Sequence, residues 1–276
     1  MCAYEIRAQD FRILAFSPND GVQHGLKNWS LSRLQAQDDA TEHRSLATSL
    51  SKIFRKIGVR KAYAPSVGAA NAAIINPFVL RQRIRLGKDI RLYREYAIPA
   101  DGMFVWPGEA FVMSAAGCPI IVAVSAAEGL MIVTHAGRDS LIDRGAVLGK
   151  PARKNLSVVD AIVETMMDCG VLPGEILMQM HLSIPKEVFE HRFDHPQHGT
   201  YNRALNNFIN MRWPDCTTKV DNGMLLDLEA LFVEQARSAG LRYVEASNSL
   251  ARFPELTHTR SDRPELRNLI VVKRND

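Results

Sequence analysis

The 276-residue chain contains no apolar run approaching the roughly 20 residues that a membrane helix needs. Its first ten residues mix acidic and basic side chains where a secretory leader would carry an apolar core, so the expectation is a cytoplasmic protein without a membrane partner. Cysteine is scarce: Cys2, Cys118, Cys169 and Cys216 lie far apart with no CxxC pair. That excludes a disulfide scaffold and a finger-type or ribbon-type zinc site. There is no Walker loop, GxGxxG turn, GxSxG elbow or HExxH helix. No charge sign dominates either, with 34 Lys and Arg against 30 Asp and Glu, a net charge of +4, and no basic stripe with interleaved aromatics. Nucleic acid is therefore not an expected partner. The densest basic stretch, Arg81 to Arg94, reads as a solvated face. A linker rich in Pro, Gly or Ser is also lacking, as is any internal repeat, so residues 1–276 read as one domain.

What is present is the balance of a globular protein, 46% hydrophobic and 23% charged, in a chain long enough to bury a large core. Leu46, Leu50, Ile53, Phe54 and Ile57 recur at helical spacing behind a possible Thr41 cap, with Gly58 as a stop. The stretch Ala62 to Ile98 reads as strands joined by an insertion. Short apolar runs follow at Met103 to Trp106, Ala110 to Met113, Ile120 to Val124 and Leu130 to Thr134, divided by turn residues, the pattern of a buried sheet. Ser157 can cap a helix whose apolar face is Val158, Val159, Ile162, Val163, Met166 and Met167 and which ends at Gly170. Ile176 to Met180 reads as a strand, Leu228 to Ala236 as a helix stopped by Gly240, and Leu269 to Val272 as a closing strand. The sum is an α/β protein.

Chemistry concentrates between Ala115 and Asp139. Cys118 sits in a small-residue turn before one buried strand, and His135 directly after the next. In a hairpin those two ends lie side by side. A thiolate and an imidazole so placed can ligate zinc if a third ligand joins them. Alternatively the imidazole lowers the thiol pKa and makes Cys118 a nucleophile. His191, His195 and His198 form a second group within eight residues, but Pro196 interrupts any helix there, and the segment reads as an exposed loop.

Ala100-Asp101-Gly102-Met103-Phe104-Val105, Pro107-Gly108, Ala116-Gly117-Cys118-Pro119 and His135-Ala136-Gly137 together resemble the laccase-domain family, also called multicopper polyphenol oxidoreductase or peptidoglycan-editing factor. The order of further pieces agrees: Gly21-Val22-Gln23-His24-Gly25-Leu26, Arg44, Leu182-Ser183-Ile184 with Glu187-Val188, Leu226-Asp227-Leu228, Gln235, Ala239-Gly240-Leu241 and His258-Thr259-Arg260. The resemblance spans about Gly21 to Lys273. It implies a single-domain layered α/β/β/α sandwich likened to cysteine-hydrolase folds. It also implies zinc held by one cysteine and two histidines, and processing of purine nucleosides by phosphorolysis or deamination, with nucleoside and phosphate as small-molecule partners of a monomer or small homo-oligomer. Carried over residue by residue, Cys118 and His135 become zinc ligands, and Arg44 a catalytic and substrate contact with Arg138 beside it.

The sequence departs from the family pattern at defined places. The stretch Tyr63 to Gly68, where the family has its first zinc histidine, contains none; the aspartate before the cysteine is Gly117; Arg138-Asp139 replaces the W-R after H-A-G; and Asn248-Ser249 stands at the late C-T. His181 is the nearest substitute for the missing ligand. The copper in the family's name has no support, since paired HxH histidines are absent. Three readings follow: a zinc-dependent nucleoside enzyme, a cysteine hydrolase or deamidase using Cys118 and His135, and a family member that keeps only the fold.

Overall fold

A computed structural model describes the chain except residues 1, 3, 24, 25, 27, 35–39, 68, 69, 247–249 and 261–264. His24, Gly25, Gly68, Ala69, Asn248 and Ser249 thus lie outside the described residues, as does the side chain of Thr41. Two large sheets are stacked, and helices cover both outer faces. Among the described residues the first sheet runs in the order Tyr4–Arg7, Phe11–Phe16, Asn268–Arg274, Ala110–Ala115, Lys61–Ser66, Arg91–Pro99 and Gln82–Arg85. The second runs Tyr243–Ala246, Leu177–His181, Ile120–Ser125, Leu130–His135, Gly102–Phe104 and Ile74–Ile75. A small third sheet joins Glu190–Arg192, Gly223–Leu226 and Thr217–Val220.

Strand alternation decides the layers. On Ile120–Ser125, Ile120, Val122 and Val124 face the first sheet and pack with Phe111, Met113, Ile270 and Val272. Ile121 and Ala123 face the other way, into a core with Val159, Ile162, Met166, Leu231 and Phe232 from the helices Val158–Asp168 and Leu228–Ser238. The helix Ala40–Lys56 lays Leu46, Leu50, Ile53 and Phe54 on the outside of the first sheet against Leu14, Ala62, Val112 and Val271. The result is the layered α/β/β/α sandwich that the motifs imply.

Local signals hold at the helix ends. Ser157 and Asp160 form a reciprocal capping box, a device contributing about 1 kcal/mol, and Gly170 follows in the left-handed region at φ +90°. Asp227 caps the helix Leu228–Ser238 through Ala230 N, and Gly240 (φ +86°) follows it. Met167 is a correction: it turns outward and is exposed, so the apolar face of that helix is narrower than its sequence suggests. The basic stretch Arg81 to Arg94 forms the antiparallel pair Gln82–Arg85 and Arg91–Pro99 at the rim of the first sheet, where Arg81, Arg83 and Arg85 are exposed. Charged side chains there discourage edge-to-edge pairing. No helix among the described residues is long and apolar enough to cross a membrane.

Candidate functional site

The hairpin Ile120–Ser125 to Leu130–His135 pairs Ile120 with His135, which brings the turn carrying Cys118 beside the imidazole. Gly137 lies against both, since a Cβ there would stand 3.0 Å from His135 Nε2 and 3.5 Å from Cys118 Sγ. The other ring nitrogen, Nδ1, is 3.2 Å from Asp101 Oδ1 and 3.2 Å from Ser140 Oγ. A carboxylate only accepts, so Nδ1 carries the proton given to Asp101 and Nε2 is the atom that serves Cys118. Asp101 is fully buried, and its second oxygen accepts from Ala72 N at 2.7 Å. The loop supplying that donor holds Ala70 and Ala72 at φ +47° and +53°. Non-glycine residues seldom adopt this region, and strain of this kind gathers at functional sites.

Arg153 ties these segments together. Its guanidinium donates to the carbonyl oxygens of Ala70, Asp139 (2.8 Å), Ser140 (2.7 Å), Asn155 (2.7 Å) and Leu156 (2.9 Å). Gly117, where the family pattern has aspartate, follows from packing: its φ is +84°, and a Cβ would come within 2.7 Å of His258 Cβ.

Burial pushes the Cys118 thiol up, but the neighbouring His135 charge and hydrogen bond outweigh it and bring the thiol below its ordinary value. For His135, burial disfavours the imidazolium, whereas Cys118 and Asp101 favour it and raise the pKa to about 10. Each partner thus favours the charged form of the other, thiolate beside imidazolium. The pair's linkage to stability has a definite sign. The raised His135 contributes stability that is complete below its ordinary 6.5 and is lost as pH rises through about 10. The lowered Cys118 contributes stability present above its ordinary 9.0 and lost as pH falls. Above 9 only the His135 contribution still changes, and it falls as pH rises toward about 10. The urea midpoint difference between wild type and Cys118→Ala should shrink as pH rises from 9 through about 10; a difference growing above pH 9 contradicts the ion pair.

Cys118 and His135 stand in the wall of a cavity of about 640 Å³ formed with the turn Gly137 to Ser140, Arg144, the strand Glu190–Arg192 and the helix Gly199–Arg212. Arg138 is in this wall, gripped by Asp139 (Nε to Oδ1 2.6 Å, Nη2 to Oδ2 3.0 Å) and 3.4 Å from His191 Nδ1. Tyr201 OH donates to Asp139 Oδ1 at 3.3 Å. His191 corrects the loop reading: it is buried on a strand, and burial together with Arg138 lowers its pKa to about 3, so it is neutral. His195 and His198 are exposed at the rim with stacked rings, just before the helix Gly199–Arg212, an element the sequence pattern did not announce.

Two expected site residues are not brought to the cavity. Arg44 is exposed on the helix Ala40–Lys56, which covers the outside of the first sheet, and it does not line the cavity. His181 also pairs with Ile120, but from the other side, so the Ile120 strand separates it from His135. Its Nδ1 is 3.4 Å from Tyr4 OH, its ring packs on Phe11 between the sheets, and burial lowers its pKa to about 4. A catalytic zinc needs three protein donors. Among the described residues no three His, Cys, Asp or Glu side chains are grouped to hold a metal. Among the described residues Cys118 and His135 are two donors without a third, one short of the zinc centre that the motifs imply.

Sequence reasoning missed Asp101 as a functional group, although it was in view within the A-D motif. A lone acid ahead of a buried strand was the available signal. Ser140, Arg144 and Tyr201 carried no signal, and Arg144 meets Tyr201 only because the helix Gly199–Arg212 packs over the turn after His135; His191 was in view, but as a loop residue.

No protein-family model matches the sequence, and no curated protein matches it. Solved structures do match in shape. Hypothetical protein YfiH of Bacillus licheniformis aligns with a TM-score of 0.64 at 15% identity over 96% of this chain and 97% of its own. A Neisseria meningitidis protein of the family model DUF152 gives 0.65 at 15% over 99% of both chains. YlmD of Geobacillus stearothermophilus gives 0.64 at 16% over the whole of both. Over its full length, this chain has the fold of those proteins.

Proposed function

We propose that the protein is a cysteine-dependent hydrolase or deamidase acting on a small molecule, with Cys118 as nucleophile, His135 as general acid and base, and Asp101 holding the imidazole. The observation that carries this reading is the connected set Asp101, His135 and Cys118 in the wall of an open cavity, with Nδ1 committed to the carboxylate. That is the nucleophile, base and orienting-group logic of a catalytic triad. The thiolate attacks a carbonyl or amidine carbon and forms a C–S bond. The C–N bond then breaks, and the leaving amine takes the proton from His135 Nε2. Water next adds to the thioester, or to the thioimidate formed from an amidine, giving a proton back to His135, and its attack releases the product and restores the thiolate. The alternative, a zinc-dependent nucleoside enzyme, requires a third donor to join Cys118 and His135.

Exposed Cys169 serves as an internal reference for the test. In protein purified without added metal or chelator, iodoacetamide at pH 7 should label Cys118 at least about tenfold faster than Cys169, the effect of one pKa unit on thiolate population. Cys118→Ala should remove that label. Stoichiometric zinc that disappears in Cys118→Ala would overturn the proposal in favour of the zinc reading. Slow labelling without metal would leave the fold-only reading.

A further inference from the structure

Four arginines line the cavity against two carboxylates, Asp139 and Glu190. Arg138 is held by Asp139, and Arg192 by Asp194 through two contacts of 2.9 and 2.7 Å. Arg144 and Arg260 differ. Among the described residues neither has an ion-pair partner. The guanidinium of Arg144 lies 4.8 Å from the Tyr201 ring centroid, and that of Arg260 lies 5.8 Å from Phe189. Arg260 spends one Nη2 hydrogen on the Glu190 carbonyl at 2.8 Å. A guanidinium resting on an aromatic face keeps its N–H edge for a ligand, and that planar fork matches an oxyanion. Tyr201 itself is occupied by Asp139, so it orients the cations without competing for an anion. Cys118 opens onto the same volume as these two guanidinium groups.

We infer that the substrate carries an oxyanion, with a carboxylate as the smallest form, which Arg144 and Arg260 hold in the cavity while its scissile carbon meets Cys118. The inference rests on the proposed Cys118 chemistry and adds the class of substrate. Arg44, the anion contact implied by motif resemblance, has no part in it.

Two alkylating agents of similar size separate the two claims. Iodoacetate carries a carboxylate beside its reactive carbon; iodoacetamide is neutral. The ratio of iodoacetate to iodoacetamide rates at Cys118 should exceed the same ratio at Cys169 by at least about tenfold, as for an anion drawn to a cationic cleft. The double variant Arg144→Gln, Arg260→Gln should cut the Cys118 ratio by a similar factor. Arg192→Gln, whose guanidinium is already held by Asp194, should move it far less. Protection against iodoacetate by acetate supports a carboxylate substrate, and protection by inorganic phosphate alone supports a phosphate ester; either upholds the oxyanion. Fast iodoacetamide labelling with no preference for iodoacetate overturns this inference and leaves the cysteine chemistry standing. An equal loss of ratio in Arg192→Gln overturns the assignment to Arg144 and Arg260. Slow labelling by both agents removes the proposed function itself.

Discussion

Asp101→Asn should leave the fold in place and reduce turnover by about 10⁴-fold, the scale seen when the orienting acid of a triad becomes an amide. The reason lies in the ring of His135. Asp101 accepts from Nδ1 at 3.2 Å and so leaves Nε2 to face Cys118. An asparagine amide can instead donate to Nδ1, which moves the ring proton to Nε2 and removes the base. It also deletes the negative charge that helps hold His135 protonated. The thiolate then loses its counter-ion, and Cys118 returns toward the value that burial dictates. Labelling by iodoacetamide at pH 7 should slow about tenfold for each pKa unit regained. Its pH profile should shift to higher pH, a response that mere loosening of the fold would not give. Unchanged labelling would show that Asp101 is a buried acid without a part in the chemistry. The asparagine oxygen can still accept from Ala72 N, so the strained loop keeps its anchor.

Gly102→Ala should be strongly damaging for the addition of one methyl group. Gly102 faces Thr134 across the ladder between Gly102–Phe104 and Leu130–His135. A Cβ there would stand 2.2 Å from Thr134 Cγ2 and 2.7 Å from the Val133 carbonyl oxygen, and the latter cannot move without breaking the sheet. Overpacking of this kind costs about 3 kcal/mol, or roughly 5–10 °C in Tm for a chain of this size. Since Asp101 is the preceding residue, the shift should also slow Cys118 labelling. Gly149→Ala is the control: nothing lies within 4 Å of its Cβ, and only its φ of +63° opposes the change, at about 1 kcal/mol. Similar losses from the two substitutions would contradict the packing argument.

The strands Ala110–Ala115, Ile120–Ser125 and Leu130–His135 and the helices capped by Ser157 and Asp227 were legible because each depends on local periodicity and on caps a few residues away. The meeting of Cys118 and His135 was legible for the same reason, since a hairpin joins them. The strands Tyr4–Arg7 and Phe11–Phe16 and the helix Gly199–Arg212 were not, because their patterns are short or mixed and their burial is decided by distant partners.

By itself, then, the sequence determined an α/β chain with a thiol and an imidazole at one end of a hairpin, and a motif order pointing to a layered sandwich. Tertiary structure decided what those two side chains can do. It set Asp101 behind His135 and turned His181 into the layer between the sheets, while Arg44 stayed on the outer helix and Arg144 and Arg260 came to the cavity. Each outcome depends on strand order and on the face that a side chain takes. Contacts between residues far apart in the chain fix both, and no short window of sequence contains them.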